Sequence, residues 1–261
     1  ARARGAGVPT TSEIRLLVER LPDRRRTIGV TGTAGKSTVT AMIGHLLGQI
    51  LGCRGVHVGG NLGGSLLEKV SDIRADQWIV LELSSFMLEG LAEVHWSPHI
   101  ALVTNIAPNH LDRYGEFADY VRAKQAILVH QRDGDVALLG QSVAEWPTAA
   151  GVGRRLVDEP NGKLVSLPGL HNQFNAAFAV AVGREIAAGG PDLGAAMCGF
   201  CGLPHRLQPV CEHDGVRYVN DSKSTTPQAA MLALRSFDRG IVHVILGGYD
   251  KGSDLEPLAG Y

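Results

Sequence analysis

Short apolar runs alternate along this chain with longer stretches whose apolar positions recur every three or four residues. Residues 27–31, 78–83, 99–104 and 136–139 are near-continuous apolar runs and read as buried strands. Met42, Ile43, Leu46, Leu47 and Ile50 share one face of a helix predicted over 37–51. Two more helices are predicted over 117–130 and over the Ala-rich stretch 171–186. Strands alternating with helices imply an α/β architecture, a mostly parallel sheet covered by helices on both faces. The pattern restarts after Gly202-Leu203-Pro204, with strands expected at 216–219 and 241–246 and a helix from Pro227. A second α/β unit is therefore expected from about residue 203.

Composition narrows the picture. At 261 residues the chain is long enough to bury a core without disulfide or metal staples. Its 25 Lys and Arg against 26 Asp and Glu leave a net charge of −1, so no overall basic field is present to hold nucleic acid. Hydrophobic residues at 44% and charged residues at 20% argue for a packed globular chain rather than disorder. No run approaches the roughly 18 apolar residues of a membrane span. The Arg-rich start at Ala1 lacks the apolar run of a secretory signal. Cys53, Cys198, Cys201 and Cys211 do not make a disulfide framework at this length, which points to a cytoplasmic protein. Cys198 and Cys201 with Cys211 and His213 could be read as metal ligands, but their spacing fits no common zinc module. Small buried thiols are the expectation.

The chemistry concentrates in one segment. Gly29, Gly32 and Gly35 precede Lys36-Ser37-Thr38 at a strand-to-helix junction. A glycine-rich turn there lets backbone N–H groups cradle phosphate, with Lys36 on the β- and γ-phosphates and the Ser37 hydroxyl on Mg²⁺. Val30 stands where the usual phosphate-loop pattern begins with glycine. Glu82 interrupts an apolar strand near its C-terminal end, the edge where open α/β sheets bind ligands, and a carboxylate there suits Mg²⁺. His110 and Asp112 follow the third strand at the same edge. Lys124 lies on the apolar stripe of Phe117, Tyr120, Val121, Ile127 and Leu128. Either it snorkels to the surface, or it is buried with a lowered pKa and, as the neutral amine, able to take up CO₂ as a carbamate.

The motifs, taken together, resemble the Mur ligase family. They are GTAGKST at 32–38, GNLGG at 60–64, LELSSF at 81–86, NHLDRYGEF at 109–117, YVRAK at 120–124, LPGLHNQFNA at 167–176, GLPHRL at 202–207, VNDSKSTTP at 219–227 and LGGYDKGSD at 246–254. The resemblance implies a central ATP-binding domain over 27–202 and the start of a C-terminal Rossmann-like domain over 203–261. Residues 1–26 would be a remnant of a first domain or a linker, and the segment alone is expected to be inactive. LELSSF and NDSKST imply the D-glutamate-adding activity, with UDP-N-acetylmuramoyl-L-alanine, D-glutamate and ATP as substrates, in a cytoplasmic monomer that makes peptidoglycan precursor.

Residue roles carry over with the motifs. The resemblance places nucleotide on Gly32, Thr33, Gly35, Lys36, Ser37 and Thr38, with Asn172 and Asn175 near adenine. Arg206, Asp221 and Lys223 would reach the nucleotide from the third domain. Two Mg²⁺ ions would be held by Ser37, Glu82, His110 and a carbamylated Lys124. Lys36, His110 and Lys124 would form the catalytic set. Asn61 and Ser84 would face the UDP substrate, and Thr225 and Lys251 the D-glutamate. Ala34, Met87 and Asn109 depart from the family's usual Asn, Gln and acid. Two alternatives are a family member adding another amino acid, and a nucleotide-binding fragment without ligase activity.

Overall fold

A computed structural model describes residues 6, 8, 10–160, 167–187, 192–237, 242–248 and 254–259. Helix α1 (Glu13–Val18) precedes β1 (Thr27–Thr31), α2 (Lys36–Leu51), β2 (Val56–Gly60) and β3 (Trp78–Glu82). Then come α3 (Ser85–Glu93), β4 (Ile100–Val103), α4 (Leu111–Tyr114), α5 (Phe117–Val129), β5 (Val136–Gly140) and β6 (Gly153–Val157). The chain continues through α6 (Leu170–Ile186), α7 (Leu193–Met197), β7 (Gln208–His213), β8 (Val216–Asn220), α8 (Pro227–Leu234) and α9 (Glu256–Ala259).

The first six strands form one parallel sheet in the order β2-β3-β1-β4-β5-β6. Every residue of β1, β3 and β4 is buried, as the continuous apolar runs require of a sheet covered on both faces. Because side chains alternate, Ile28, Val30 and Val80 pack with Val39, Met42, Ile43 and Leu46 of α2 and with α6. Ile79, Leu81, Ala101 and Val103 face the other way, onto Leu88 and Leu91 of α3 and Ile127 and Leu128 of α5. The segment before β1 joins this second layer through Ile14, Leu17 and Val18 of α1.

The topology fixes where a ligand can enter. From β1 the chain runs toward β2 on one side, and from β4 it runs toward β5 on the other. The strand order therefore reverses between the adjacent β1 and β4, and the crevice outside their C-terminal ends is the expected binding place.

Residues after 203 differ in part from expectation. Strand 216–219 and the helix from Pro227 are present, but β7 and β8 pair with each other in an antiparallel ladder. The strand expected over 241–246 does not form among the described residues. A strand needs a hydrogen-bonded neighbour, and Ile245 is 100% exposed. All four cysteines are exposed, contrary to the expected buried thiols. Among the described residues, no group of three or more His, Cys, Asp and Glu side chains could hold a metal. None of the described helices is long and apolar enough to cross a membrane.

Candidate active site

The turn from β1 into α2 needs its glycines. Gly32 has φ +144°, and a Cβ there would lie 2.0 Å from Thr104 Oγ1. Gly35 has φ +83°, and a Cβ there would lie 2.6 Å from Asn175 Oδ1. Thr104 and its neighbour Asn105 hold the turn. Thr104 Oγ1 donates to the Ala34 carbonyl at 2.7 Å, and Asn105 Nδ2 donates to the same oxygen at 3.0 Å. Asn105 also accepts from the backbone N–H of Ala34 at 2.9 Å through Oδ1 and from that of Thr33 at 3.0 Å through its carbonyl. Residue 34 thus serves through its backbone, which accounts for Ala at this position.

Lys36 Nζ donates to the Thr33 carbonyl at 3.0 Å. Burial lowers the Lys36 pKa; Glu82 acts against this, and Arg206 adds to it. Arg206 reaches across from the segment before β7 and donates to Ser37 Oγ at 3.1 Å.

Glu82, the last residue of β3, is only 1% exposed. Its Oε1 accepts from Asn61 Nδ2 at 2.9 Å, while Oε2 is buried with no hydrogen-bond partner. A buried carboxylate oxygen without a donor is costly unless something cationic sits on it. Lys124 is also 1% exposed, so it is buried on the stripe rather than snorkelling. Phe117 is the stripe position that stays exposed, at the first residue of α5. Desolvation, reinforced by the nearby Lys36 charge and opposed by Glu82, brings the Lys124 pKa down to about 7.

His110 is exposed at the N-terminus of α4, with φ +55°. Its ring lies 5.3 Å from that of Phe86 and 6.1 Å from that of Tyr120. Tyr120 in turn places its ring 5.0 Å from Lys124 Nζ and its hydroxyl 3.3 Å from Thr33 Oγ1. Asn109 Oδ1 accepts from the His110 N–H at 2.9 Å.

Other residues named from the sequence lie further out. Asn172 Oδ1 accepts from Asn175 Nδ2 at 3.2 Å, and Asn175 abuts Gly35, so this buried pair backs the loop. Ser84 caps α3, its Oγ accepting from the Met87 N–H at 3.2 Å. Asp221 accepts from the Leu207 N–H at 2.9 Å and from the Ser224 hydroxyl, bonds within its own segment. Lys223 and Thr225 are exposed, and Lys251 lies outside the described residues. Sequence reasoning missed Thr31, Thr104, Asn105 and Tyr120 as site residues. The signal for the first three is position, at the C-terminal ends of the two strands flanking the crevice.

Residues 30–149 match the family model of the Mur ligase middle domain. It is similar to the UDP-N-acetylmuramoylalanine–D-glutamate ligase of Symbiobacterium thermophilum, 39% identical over 99% of this chain and 62% of that protein. The enzyme of the same name from Roseiflexus is also 39% identical, over 98% of this chain and 62% of the relative. The chain thus spans about three-fifths of the length of these curated relatives. Among solved structures, the MurF ligase from Thermotoga maritima in complex with ADP superposes with a TM-score of 0.67 at 18% identity. That match covers 88% of this chain and 62% of the other. The UDP-N-acetylmuramate-alanine ligase MurC from the same organism gives 0.61 at 20% identity, over 90% and 59%. These two likenesses concern the fold.

Proposed function

We propose that the protein carrying this chain is an ATP-dependent ligase that adds D-glutamate to UDP-N-acetylmuramoyl-L-alanine during cytoplasmic peptidoglycan precursor synthesis. The observation that carries it is the buried, unpartnered Glu82 Oε2 beside Lys36 and Lys124 at the mouth of a glycine loop. The names of the relatives supply the amino acid and the UDP substrate.

The donor set fits Mg²⁺. A Mg²⁺ ion bound with a nucleotide takes one or two carboxylates plus phosphate oxygens and water, so no cluster of acidic residues is needed. Ser37 and Glu82 would hold the first ion, and His110 and a carbamylated Lys124 the second. Mg²⁺ would supply charge neutralisation at the transferring phosphoryl group.

The remaining roles belong to the chain. Residues 32–38 hold the nucleotide phosphates with backbone N–H groups, and Lys36 neutralises the charge between β- and γ-phosphates. Asn172 and Asn175 back the loop on the adenine side, and Arg206, Asp221 and Lys223 close on the nucleotide from the segment after 203, the start of a third domain. Asn61 and Ser84 orient the UDP substrate so that its carboxylate takes the γ-phosphoryl group of ATP, releasing ADP, and becomes an acyl phosphate. Thr225 and Lys251 hold D-glutamate, whose amine attacks the acyl carbon and expels phosphate through a tetrahedral intermediate. With a pKa near 7, Lys124 is partly neutral amine at physiological pH. Its Nζ can bond to the carbon of CO₂ and release one proton, leaving a carbamate with two oxygens.

The whole protein should release phosphate and form amide product only when UDP-N-acetylmuramoyl-L-alanine, D-glutamate and ATP-Mg²⁺ are all present. Phosphate release that ignores D-glutamate would favour a plain nucleotide hydrolase instead. Glu82→Gln removes the charge but keeps the shape and the bond to Asn61. It is expected to weaken the Mg²⁺ dependence of ATP binding about tenfold or more, as loss of a charged interaction worth about 1.5–3 kcal/mol would. Titrating Mg²⁺ at fixed ATP checks this, and an unchanged Mg²⁺ requirement would place the ion elsewhere.

A further inference from the structure

Thr31 closes β1, enters no motif assigned a role above, and is fully buried. Its hydroxyl joins three elements. The Oγ1 proton is donated to the carbonyl of Leu83, just after β3, at 2.7 Å. A hydroxyl has one proton and two lone pairs. With its proton committed, Thr31 Oγ1 can only accept from any other partner. Lys124 Nζ, on α5, donates to it at 3.2 Å. The main chain of Thr31 is itself fixed, its carbonyl accepting from the Thr104 N–H at 3.0 Å.

We infer that Thr31 is a positioning residue for Lys124: a one-way acceptor, polarised by the Leu83 carbonyl, that fixes Nζ between the glycine loop and Glu82. The ammonium, the free amine and the carbamate of a lysine all keep at least one N–H. One acceptor therefore holds Nζ through each of these forms, and as a carbamate it would have its oxygens directed away from Thr31. Tyr120 lies beside Nζ, with its ring centroid 5.0 Å away, and leaves the hydroxyl of Thr31 as the directional contact. The functional consequence rests on the carbamate reading proposed above; the placement of Nζ does not.

The test compares wild type with Thr31→Val, which removes the acceptor at nearly constant volume, and Thr31→Ser, which restores it. Under limiting acetic anhydride in CO₂-free buffer, acetylation of Lys124 is followed by mass spectrometry. Thr31→Val should raise the Lys124 rate about three- to tenfold, the effect of losing one hydrogen bond, with Thr31→Ser close to wild type. Labelling of Lys36 should stay constant in all three, since general loosening of the fold would raise both lysines. Equal Lys124 rates in wild type and Thr31→Val, or the same rise in Thr31→Ser, would overturn the inference. If Thr31→Val does not fold, Thr31→Ala replaces it under the same criteria. In parallel, wild type in ¹³C-bicarbonate is examined by ¹³C NMR for a carbamate resonance. Its absence would remove the carbamate reading, while the labelling ratios would still decide the role of Thr31.

Discussion

Lys36→Ala is expected to weaken binding of ATP-Mg²⁺ to this chain by about ten- to a hundredfold. Each charge-assisted contact from an ammonium to phosphate is worth about 1.5–3 kcal/mol, and 1.4 kcal/mol is a factor of ten. The side chain already lies within the turn, donating to the Thr33 carbonyl at 3.0 Å, so little rearrangement is needed for it to meet a phosphate. Glu82 favours its charged form against the cost of burial. Thr104 and Asn105 also hold the loop, independently of the Lys36 bond, so the variant should keep its fold and its backbone phosphate cradle. Isothermal titration with ATP-Mg²⁺, alongside circular dichroism, separates lost affinity from lost structure. Wild-type affinity in a folded variant would remove this loop from the nucleotide site.

How much of this was legible in the sequence depended on how strongly each element advertises itself. Strands β1, β3, β4 and β5 are buried on both faces and therefore appear as near-continuous apolar runs. Edge strand β6, Gly-Arg-Arg-Leu-Val, exposes Arg154, Arg155 and Leu156 and reads as a loop, which is how charged edge strands guard against mispairing. At the other edge, β2 is only half-buried and ends in two glycines, so its period was lost. Helix α1 is short, and its burial comes from packing on α3, which local sequence does not report.

The candidate site divides the same way. The turn at 32–38 was legible because glycines and Lys-Ser-Thr are constrained by backbone chemistry. Lys124 was legible because a cation on an apolar stripe breaks a pattern. The pairing of Asn61, just after β2, with Glu82, the last residue of β3, joins two separate segments, and no local spacing encodes it. Thr31 likewise acts through partners more than fifty residues away, just after β3 and on α5.

Asp135→Ala should cost about 3 kcal/mol of stability, the low end of the penalty for breaking a buried ion pair, because the cations left behind, Arg24 and His99, are partly exposed. Asp135 lies at the opposite end of the sheet from the site, just before β5, with its side chain 2% exposed. It accepts two hydrogen bonds from Arg24, each at 2.9 Å, one from His99 Nδ1 at 2.8 Å and one from the Arg132 N–H at 2.7 Å. Arg24 also donates to the Ser97 carbonyl at 3.0 Å, so this one carboxylate ties the segment before β1 to the starts of β4 and β5. Burial alone would raise the Asp135 pKa; the bonds from Arg24, His99 and Arg132 outweigh it and hold the carboxyl below its ordinary value of 3.8. A carboxylate with a depressed pKa stabilises the fold fully above that ordinary value, and its contribution fades as pH falls from there through the folded pKa. The gap between wild type and variant should therefore be widest near neutrality and narrow below about pH 4. Urea unfolding of both proteins from pH 7 down to pH 3 gives the comparison. A gap that is small at pH 7, or that does not change with acidification, would mean that Arg24 and His99 find equivalent partners without Asp135.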